Sequence, residues 1–197
     1  MYGRESTVVS PPVDDRFFAH SLRKSKDASF LALGRLVPYK RFDLLIELAN
    51  RLQIPLTIVG TGQDEERLKS LAGPTVKFLG FVSDDQLPSL YASAKALLFP
   101  QHEDAGIVPL EAQACGTPVI AYAKGGVVDT VVDGSTGIFV ADQTVEDFAK
   151  AIELFKQKAW DHDVIRQHAK QFSEAKFQEK IKQIVAIATK KNVELRT

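Results

Sequence analysis

The sequence has 197 residues, of which 45% are hydrophobic and 25% charged, as expected for one globular domain. Its 25 basic and 25 acidic residues cancel, which leaves no electrostatic case for binding nucleic acid or a membrane surface. The single cysteine, Cys115, excludes an internal disulfide, and no apolar run has the length of a signal peptide or membrane span. We therefore expect a cytoplasmic protein.

Six short apolar runs recur along the chain and predict strands that are buried on both faces, as in a parallel sheet. In chain order they are residues 29–34, 56–60, 76–80, 96–100, 118–122 and 136–140. Amphipathic segments separate or follow them at 41–52, at 87–96 behind a capping box of Ser83 and Gln86, at 144–155 behind Thr144, and at 173–188. This alternation predicts an α/β fold, a Rossmann-like doubly wound parallel sheet of about six strands with helices on both faces.

Residues 1–28 differ from the rest of the chain. Two adjacent prolines and several acids favour an extended segment there, without helical or strand periodicity. We expect these residues to be an entry segment, a linker that leads into a domain spanning residues 29–197.

Two cations, Arg35 and Lys40, follow the first predicted strand and flank the start of a helix. Ligands of open α/β sheets bind at the carboxyl ends of strands, so this pair is suited to an anion; alternatively, both are solvated surface charges. The loop lacks the G-x-G-x-x-G pattern of nicotinamide-cofactor sites, and the chain has no G-x-x-x-x-G-K-[ST] phosphate loop. The G-x-G at Gly60 and Gly62 runs into acids, which favours a tight turn over a phosphate site.

The stretch EDAGIVPLEA follows the fourth run and sets two glutamates, Glu103 and Glu111, around seven residues. The amides of Gly106, Ile107 and Val108 fall in the first turn of a predicted helix, where unpaired N–H groups accept phosphate. Carboxylates at such a place indicate hydroxyl partners, which donate charge-assisted hydrogen bonds to them. The alternative is that the two acids only complement the helix dipole.

Metal and covalent chemistry are poorly supported. The D-x-D of Asp161 and Asp163 is better explained by a helix cap at Asp161, and the four histidines lack the spacing of metal ligands. Cys115 lies in an apolar segment and is predicted to be core. The glycines Gly125 and Gly126 precede another helix, where they either approach a ligand or only make the turn.

Taken together, the chain resembles the nucleotide-sugar-binding half of the retaining glycosyltransferases of family 4, the group 1 glycosyl transferases, which have the GT-B architecture. The matching stretches, in order, are LALGRLVPYKRFDLLI, LTIVGTG, VKFLGFVSDDQLPSLYASAKALLFP and EDAGIVPLEAQACGTPVIAYAKGGVVDTVVDGSTGIFV. The resemblance runs from about residue 10 to the end of the chain. The part after residue 144 looks especially like bacterial mannosyltransferases that build polysaccharides and O-antigens.

The resemblance implies a role for each candidate residue. Glu103 hydrogen-bonds hydroxyls of the donor sugar, Glu111 holds the ribose diol, and Arg35 with Lys40 neutralises the diphosphate leaving group. Glu103, Arg35 and Lys40 are therefore the predicted catalytic residues. The other predicted substrate-binding residues, besides Glu111, are Gly34, Ala105, Gly106, Ile107 and Val108, with Phe81 and Val82 near the base. Ala105 departs from the family, which usually has an aromatic residue there, so the pocket wall is altered. No metal and no cofactor are implied.

GT-B enzymes have two Rossmann-like domains, so the resemblance implies an acceptor domain before residue 10 of this sequence. We expect the chain to be the donor-binding half of a hexosyltransferase and to be inactive by itself. The expected donor is GDP-mannose, with a UDP-sugar (glucose or N-acetylhexosamine) as the alternative. The expected acceptor is a glycan or lipid-linked glycan, which would place the full-length protein in the cytoplasm or at the inner membrane face. A natural stand-alone binding module and a nucleotide-sugar epimerase remain open.

Overall fold

The computed structural model describes residues 7–19 and 28–194. Its six strands are parallel and lie in the order β3–β2–β1–β4–β5–β6. The strands are β1 (Phe30–Leu33), β2 (Leu56–Val59), β3 (Val76–Gly80), β4 (Leu97–Phe99), β5 (Val119–Tyr122) and β6 (Gly137–Val140). The predicted six-stranded, doubly wound sheet is therefore confirmed.

Eight α-helices occur in the described part of the chain. They are α1 (Phe42–Leu52), α2 (Glu65–Leu71), α3 (Leu87–Ser93), α4 (Ile107–Ala114), α5 (Val127–Thr130), α6 (Val145–Gln157), α7 (His162–Ala169) and α8 (Glu174–Glu194). Single turns of 3-10 helix occur at Asp15–Ala19, Pro38–Lys40 and Lys170–Phe172. Within residues 7–19 and 28–194, no helix combines the length and apolar character needed to cross a bilayer.

Two of the predicted helix caps are confirmed. Thr144 Oγ1 accepts a hydrogen bond from the Asp147 amide at 3.2 Å, before α6. Asp161 Oδ1 accepts from the amides of Asp163 at 3.0 Å and Val164 at 3.1 Å, before α7. The D-x-D pattern is therefore explained by a local cap that satisfies unpaired amides at a helix start.

The capping box predicted before α3 is wrong. The Ser83 hydroxyl donates to the Gln86 side-chain oxygen at 3.1 Å and caps no backbone amide, while the Gln86 amide closes a turn onto the Ser83 carbonyl at 3.0 Å. The helix begins at Leu87, three residues after the start that a cap at Ser83 would give, with Pro88 in its first turn. Proline suits that position because a first-turn N–H has no partner within the helix. Residues 83–86 are a turn that precedes the helix.

Each face of the sheet carries its own apolar core, because successive strand residues point to opposite sides. In β4, Leu98 lies on one face, in a cluster with Phe148 of α6 and the apolar side of α1. Leu97 and Phe99 lie on the other, in a cluster with Leu110 of α4 and with residues of α3, α5 and α7. Burial on both faces explains why the strands read as continuous apolar runs in the sequence.

Part of the predicted linker packs into the second of these cores. The Phe17 side chain is 1% exposed, and its ring lies edge-to-face against Tyr91 with centroids 5.9 Å apart. The Phe17 carbonyl accepts a hydrogen bond from the Cys115 thiol at 3.3 Å, which also confirms Cys115 as core. Residues 1–6 and 20–27 of the predicted linker lie outside the described residues. The domain boundary itself stays a prediction.

The burial of Phe17 predicts that this segment contributes to the stability of the domain. We expect Phe17→Ala to lower the free energy of unfolding by about 3 kcal/mol or more, because a large side chain is lost from a packed core. Phe81→Ala, at a residue that is 78% exposed, is the matched control and should change it by less than about 0.5 kcal/mol. Urea unfolding of both variants measures the difference. Equal losses would contradict a structural role for the segment.

Candidate functional site

β1 and β4 are neighbours in the sheet although β2 and β3 lie between them in the sequence. The strand order reverses at this point, and ligands of open α/β sheets bind in the crevice that such a reversal leaves at the carboxyl ends. The loop after β1 carries Arg35 and Lys40, and the loop after β4 carries Glu103. The predicted catalytic residues therefore come from the two strands that flank the switch point.

Lys40 and Glu103 come together across this crevice. Lys40 ends the 3-10 turn Pro38–Lys40, and its Nζ lies 2.7 Å from Glu103 Oε1. The two side chains keep only 11% and 23% of their surface exposed. Gly34 lies beside them, since a β-carbon built at this glycine would be 3.0 Å from Lys40 Nζ. Three of the predicted residues thus form one cluster.

The glycines after β2 fix the shape of the first loop. A β-carbon at Gly60 would lie 2.0 Å from the Gly34 carbonyl oxygen, and one at Gly62 would lie 2.2 Å from the Leu36 carbonyl oxygen. The Leu36 amide also donates to the Thr61 carbonyl at 2.9 Å. The G-x-G sequence therefore packs backbone against backbone, in agreement with the predicted turn. Only glycine permits this approach.

Arg35 lies on the same loop but in a different environment. Its side chain is exposed, and it takes part in none of the ion pairs between described side chains, including the pair of Lys40 with Glu103. The structure therefore places Arg35 at the rim of the crevice rather than in the charged cluster.

The glycine pair before α5 holds the Glu103 loop. A β-carbon at Gly125, where φ is +78°, would lie 2.2 Å from the Glu103 carbonyl oxygen, and one at Gly126 would lie 2.4 Å from that of Asp104. The Gly126 amide donates to the Glu103 carbonyl at 2.8 Å. Of the two roles left open for these glycines, the structure supports close packing against the loop that carries Glu103.

The N-terminus of α4 opens onto the same loop. Gly106 precedes the helix in the left-handed conformation, with φ of +59° and ψ of +48°, and the helix begins at Ile107. The first-turn amides of Ile107 and Val108 have no partner within the helix. Ala105 and Ile107 are exposed, Val108 is half-buried and Gly106 is buried, so exposed residues lie on both sides of the glycine at this helix start.

Glu111, one turn further along α4, has different surroundings from Glu103. The Tyr91 hydroxyl of α3 donates to Glu111 Oε2 at 2.8 Å. Burial raises the pKa of Glu111 to about 7, although the Tyr91 hydrogen bond and the charge of Arg16 act in the opposite direction. One glutamate is therefore paired with a cation, and the other is buried against a tyrosine.

The loop after β3 lies on the Glu111 side of the site. Phe81 is largely exposed, while Val82 packs against the second core. In the same loop, Asp84 Oδ2 is 3.8 Å from the guanidinium of Arg16, and the charges of both residues act on Glu111. The predicted base-binding residues are thus near the glutamate that is predicted to hold the ribose.

Sequence reasoning missed Tyr91 and Arg16. Tyr91 reads as one more apolar residue of an amphipathic helix, and Arg16 lies in a segment that was predicted to be a linker. Within the described parts of the chain, no group of three His, Cys, Asp or Glu side chains is arranged to hold a metal ion.

The sequence matches the family described as Glycosyl transferases group 1 over residues 13–186. It is 36% identical over 178 residues to the D-inositol 3-phosphate glycosyltransferase of Geodermatophilus obscurus, covering 76% of this chain and 40% of the relative. Identity to the enzyme of that name from Mycobacteroides abscessus is 38% over 173 residues, covering 77% and 39%. The chain belongs to the group 1 glycosyltransferases and spans about 40% of the length of these two relatives.

Solved structures agree with this fold. The apo form of the lipopolysaccharide outer core galactosyltransferase WaaB superposes with a TM-score of 0.80 at 22% identity, over 93% of this chain and 56% of that one. Anabaena HepE in complex with UDP and glucose gives 0.71 at 22% identity, over 89% and 55%. The predicted Rossmann-like half of a GT-B glycosyltransferase is therefore confirmed as the fold.

The contact between Gly125 and the Glu103 loop predicts an unequal cost for two similar substitutions. Gly134 has nearly the same φ, +70°, but a β-carbon there would have nothing within 4 Å. We expect Gly134→Ala to lose about 1–2 kcal/mol of unfolding free energy, the cost of a left-handed alanine. Gly125→Ala should lose about 1–3 kcal/mol more, because the added carbon displaces the Glu103 carbonyl. Urea unfolding compares the two, and equal losses would contradict the packing role.

Proposed function

We propose that the chain is the nucleotide-sugar-binding unit of a retaining glycosyltransferase that transfers a hexose to a glycan or lipid-linked acceptor. The observation that carries the proposal is the Lys40–Glu103 pair at the switch point of the sheet. A largely buried ion pair returns little net stability, because both charges lose water. Its position beside an open helix N-terminus therefore favours a role in binding. Membership of the group 1 glycosyltransferases supports the same conclusion.

The charges match what such a transfer needs. The leaving group is a nucleoside diphosphate, which gains negative charge as its bond to the sugar breaks. Lys40, the exposed Arg35 and the first-turn amides of Ile107 and Val108 offer positive potential to that charge. Lys40 has three N–H donors, so it can bind a phosphate oxygen while still contacting Glu103.

The two glutamates serve two different parts of the donor in this proposal. Glu103 lies beside Lys40, next to the diphosphate, and accepts hydrogen bonds from hydroxyls of the sugar. Glu111 lies near the loop of Phe81 and accepts hydrogen bonds from the ribose. Ala105 is smaller than an aromatic residue, so it leaves more space in the sugar pocket.

The donor we propose is a UDP-sugar. Support comes from the solved structure of HepE, which holds UDP and glucose. WaaB, which is described as a galactosyltransferase, supports only the transfer of a hexose. The expectation of GDP-mannose, which rested on the likeness to mannosyltransferases, has no support from the relatives named above. Metal-independent transfer with retention, the acceptor, and a location in the cytoplasm or at the inner membrane face stay predictions.

A thermal-shift panel tests the proposal, because a ligand that binds only the folded state stabilises it by mass action. We expect millimolar UDP-glucose or UDP-N-acetylglucosamine to raise the melting temperature of the 197-residue chain without added magnesium. GDP-mannose should give a smaller rise, and NAD should give none. A response to GDP-mannose alone would restore the mannose assignment. A response to none of the nucleotide sugars, or to NAD alone, would contradict the proposed function.

The division of labour between the glutamates predicts two separable losses. Glu111→Gln should weaken binding of bare UDP by roughly tenfold or more, because a hydrogen bond to a charged group is lost. Glu103→Gln keeps the side-chain shape and should leave bare UDP unaffected, while weakening UDP-glucose. Isothermal titration calorimetry with both ligands measures this. Equal losses for bare UDP would contradict the assignment.

The chain by itself is expected not to transfer sugar, because an enzyme must hold donor and acceptor together in one geometry. The resemblance implies that the acceptor is bound by a second domain. A binding module without catalysis, or an epimerase acting on nucleotide sugars, would share the donor site. Transfer by a longer protein that contains this sequence separates the transferase from both.

A further inference from the structure

We propose that Tyr91 is a positioning residue of the donor site, whose hydroxyl holds one carboxylate oxygen of Glu111 so that the other faces the ribose. The inference rests on the proposed function, and in particular on the ribose role of Glu111. Its basis is a short hydrogen bond in a buried place. The Tyr91 side chain is 0% exposed, and its hydroxyl lies 2.8 Å from Glu111 Oε2.

Two further contacts hold Tyr91 in place. Its ring packs edge-to-face on Phe17, and its backbone carbonyl accepts a hydrogen bond from Thr117 Oγ1 at 2.6 Å. Burial, followed by the negative charge of Glu111, raises the pKa of Tyr91 well above its usual value. The hydroxyl therefore stays protonated and donates its single proton to Glu111.

The hydrogen bond leaves Glu111 with one oxygen for a ligand. A carboxylate has two oxygens, and Tyr91 occupies Oε2, which leaves Oε1 to accept from a hydroxyl. An unrestrained carboxylate would lose side-chain freedom on binding, whereas one that is already held does not. Tyr91 thus prepares the geometry of Glu111 before the nucleotide arrives.

The groups around Glu111 also set its protonation. Tyr91 reaches it from α3, Arg16 and Asp14 from the N-terminal segment, and Asp84 from the turn before α3. Cys115, at the end of α4, also faces it, and burial raises the pKa of this thiol to about 12, so the thiol carries no charge there. Tyr91 and Arg16 favour the carboxylate form of Glu111, whereas burial and the two aspartates oppose it.

This balance gives binding a pH dependence of known sign. A ribose hydroxyl donates more strongly to a carboxylate than to a neutral carboxyl. Because the pKa of Glu111 is about 7, affinity should be highest above pH 7 and fall as the pH falls through this value. Loss of the Tyr91 hydroxyl removes a contact that lowers the pKa of Glu111, so the midpoint should move to higher pH.

The experiment measures the affinity of the 197-residue chain for UDP-glucose between about pH 5.5 and 8.5 by calorimetry. UDP-glucose is the probe because its diphosphate is esterified at both ends and does not titrate in this range. Tyr91→Phe keeps the ring and removes only the hydroxyl. At pH 7 it should bind roughly tenfold more weakly than the unchanged chain, and its midpoint should lie at higher pH. Glu111→Gln, which cannot titrate, should show no such midpoint.

Thr117→Val is the matched control, because it removes a hydrogen bond to the Tyr91 backbone while leaving the hydroxyl and Glu111 in place. Thr117→Val should lower the melting temperature without moving the pH midpoint of UDP-glucose binding. Two results would overturn the inference: an unchanged affinity and midpoint in Tyr91→Phe, or a shift in Thr117→Val as large as that in Tyr91→Phe. If the unchanged chain binds UDP-glucose with no dependence on Glu111, the ribose role fails, and Tyr91 fails with it. If it binds no nucleotide sugar at all, the proposed function fails first.

Discussion

The candidate site depends on one constraint, the parallel direction of all six strands. Parallel strands bring their carboxyl ends to one edge, and the reversal of strand order between β1 and β4 leaves a crevice there. Lys40 and Glu103 lie far apart in the sequence, yet they meet at 2.7 Å because their strands are hydrogen-bonded neighbours. Close backbone contacts at Gly60 and Gly62 shape the loop after β1, and those at Gly125 and Gly126 hold the loop that carries Glu103.

The site also separates two carboxylates by their environment. Glu103 lies beside a cation, whereas Glu111 accepts a hydrogen bond from the buried Tyr91 and has its pKa raised by burial. The two carboxylates have the same chemistry but different neighbours. In the proposed function the first lies near the developing charge, and the second binds a neutral diol with an affinity that depends on its own ionisation. Spacing in the sequence gives no hint of this difference, since both are simply acids near a helix start.

Features of the fold and the site could be predicted from the sequence when they depend on residues that are close together in the chain. The strands and the caps at Thr144 and Asp161 depend on residues that are near neighbours in the chain, so their sequence patterns are local. The failed cap at Ser83 is also local, but a turn and a capping box compete for the same side chains, and here the turn forms and the helix begins after it. Family resemblance supplied the candidate site residues that periodicity alone left undecided.

The contacts that sequence reasoning missed are all long-range. Tyr91 and Glu111 belong to different helices, and nothing in the pattern of α3 distinguishes a tyrosine that donates to a carboxylate from one that only fills the core. Phe17 is one aromatic residue in a segment without periodicity, so its burial depends wholly on tertiary packing. Such contacts follow from which helices the fold places side by side.

The packing of Phe17 fixes the position of the N-terminal segment relative to Glu111. The Phe17 carbonyl accepts a hydrogen bond from the thiol of Cys115, at the end of α4. The Phe18 carbonyl accepts one from Arg166 of α7 at 2.6 Å. Arg16, the neighbour of these two residues, lies close enough to Glu111 for its charge to act on it. The charge of Arg16 lowers the pKa of Glu111, so a displacement of this segment from α4 and α7 would raise that pKa. The packing of the N-terminal residues is therefore coupled to the ionisation of a side chain in α4.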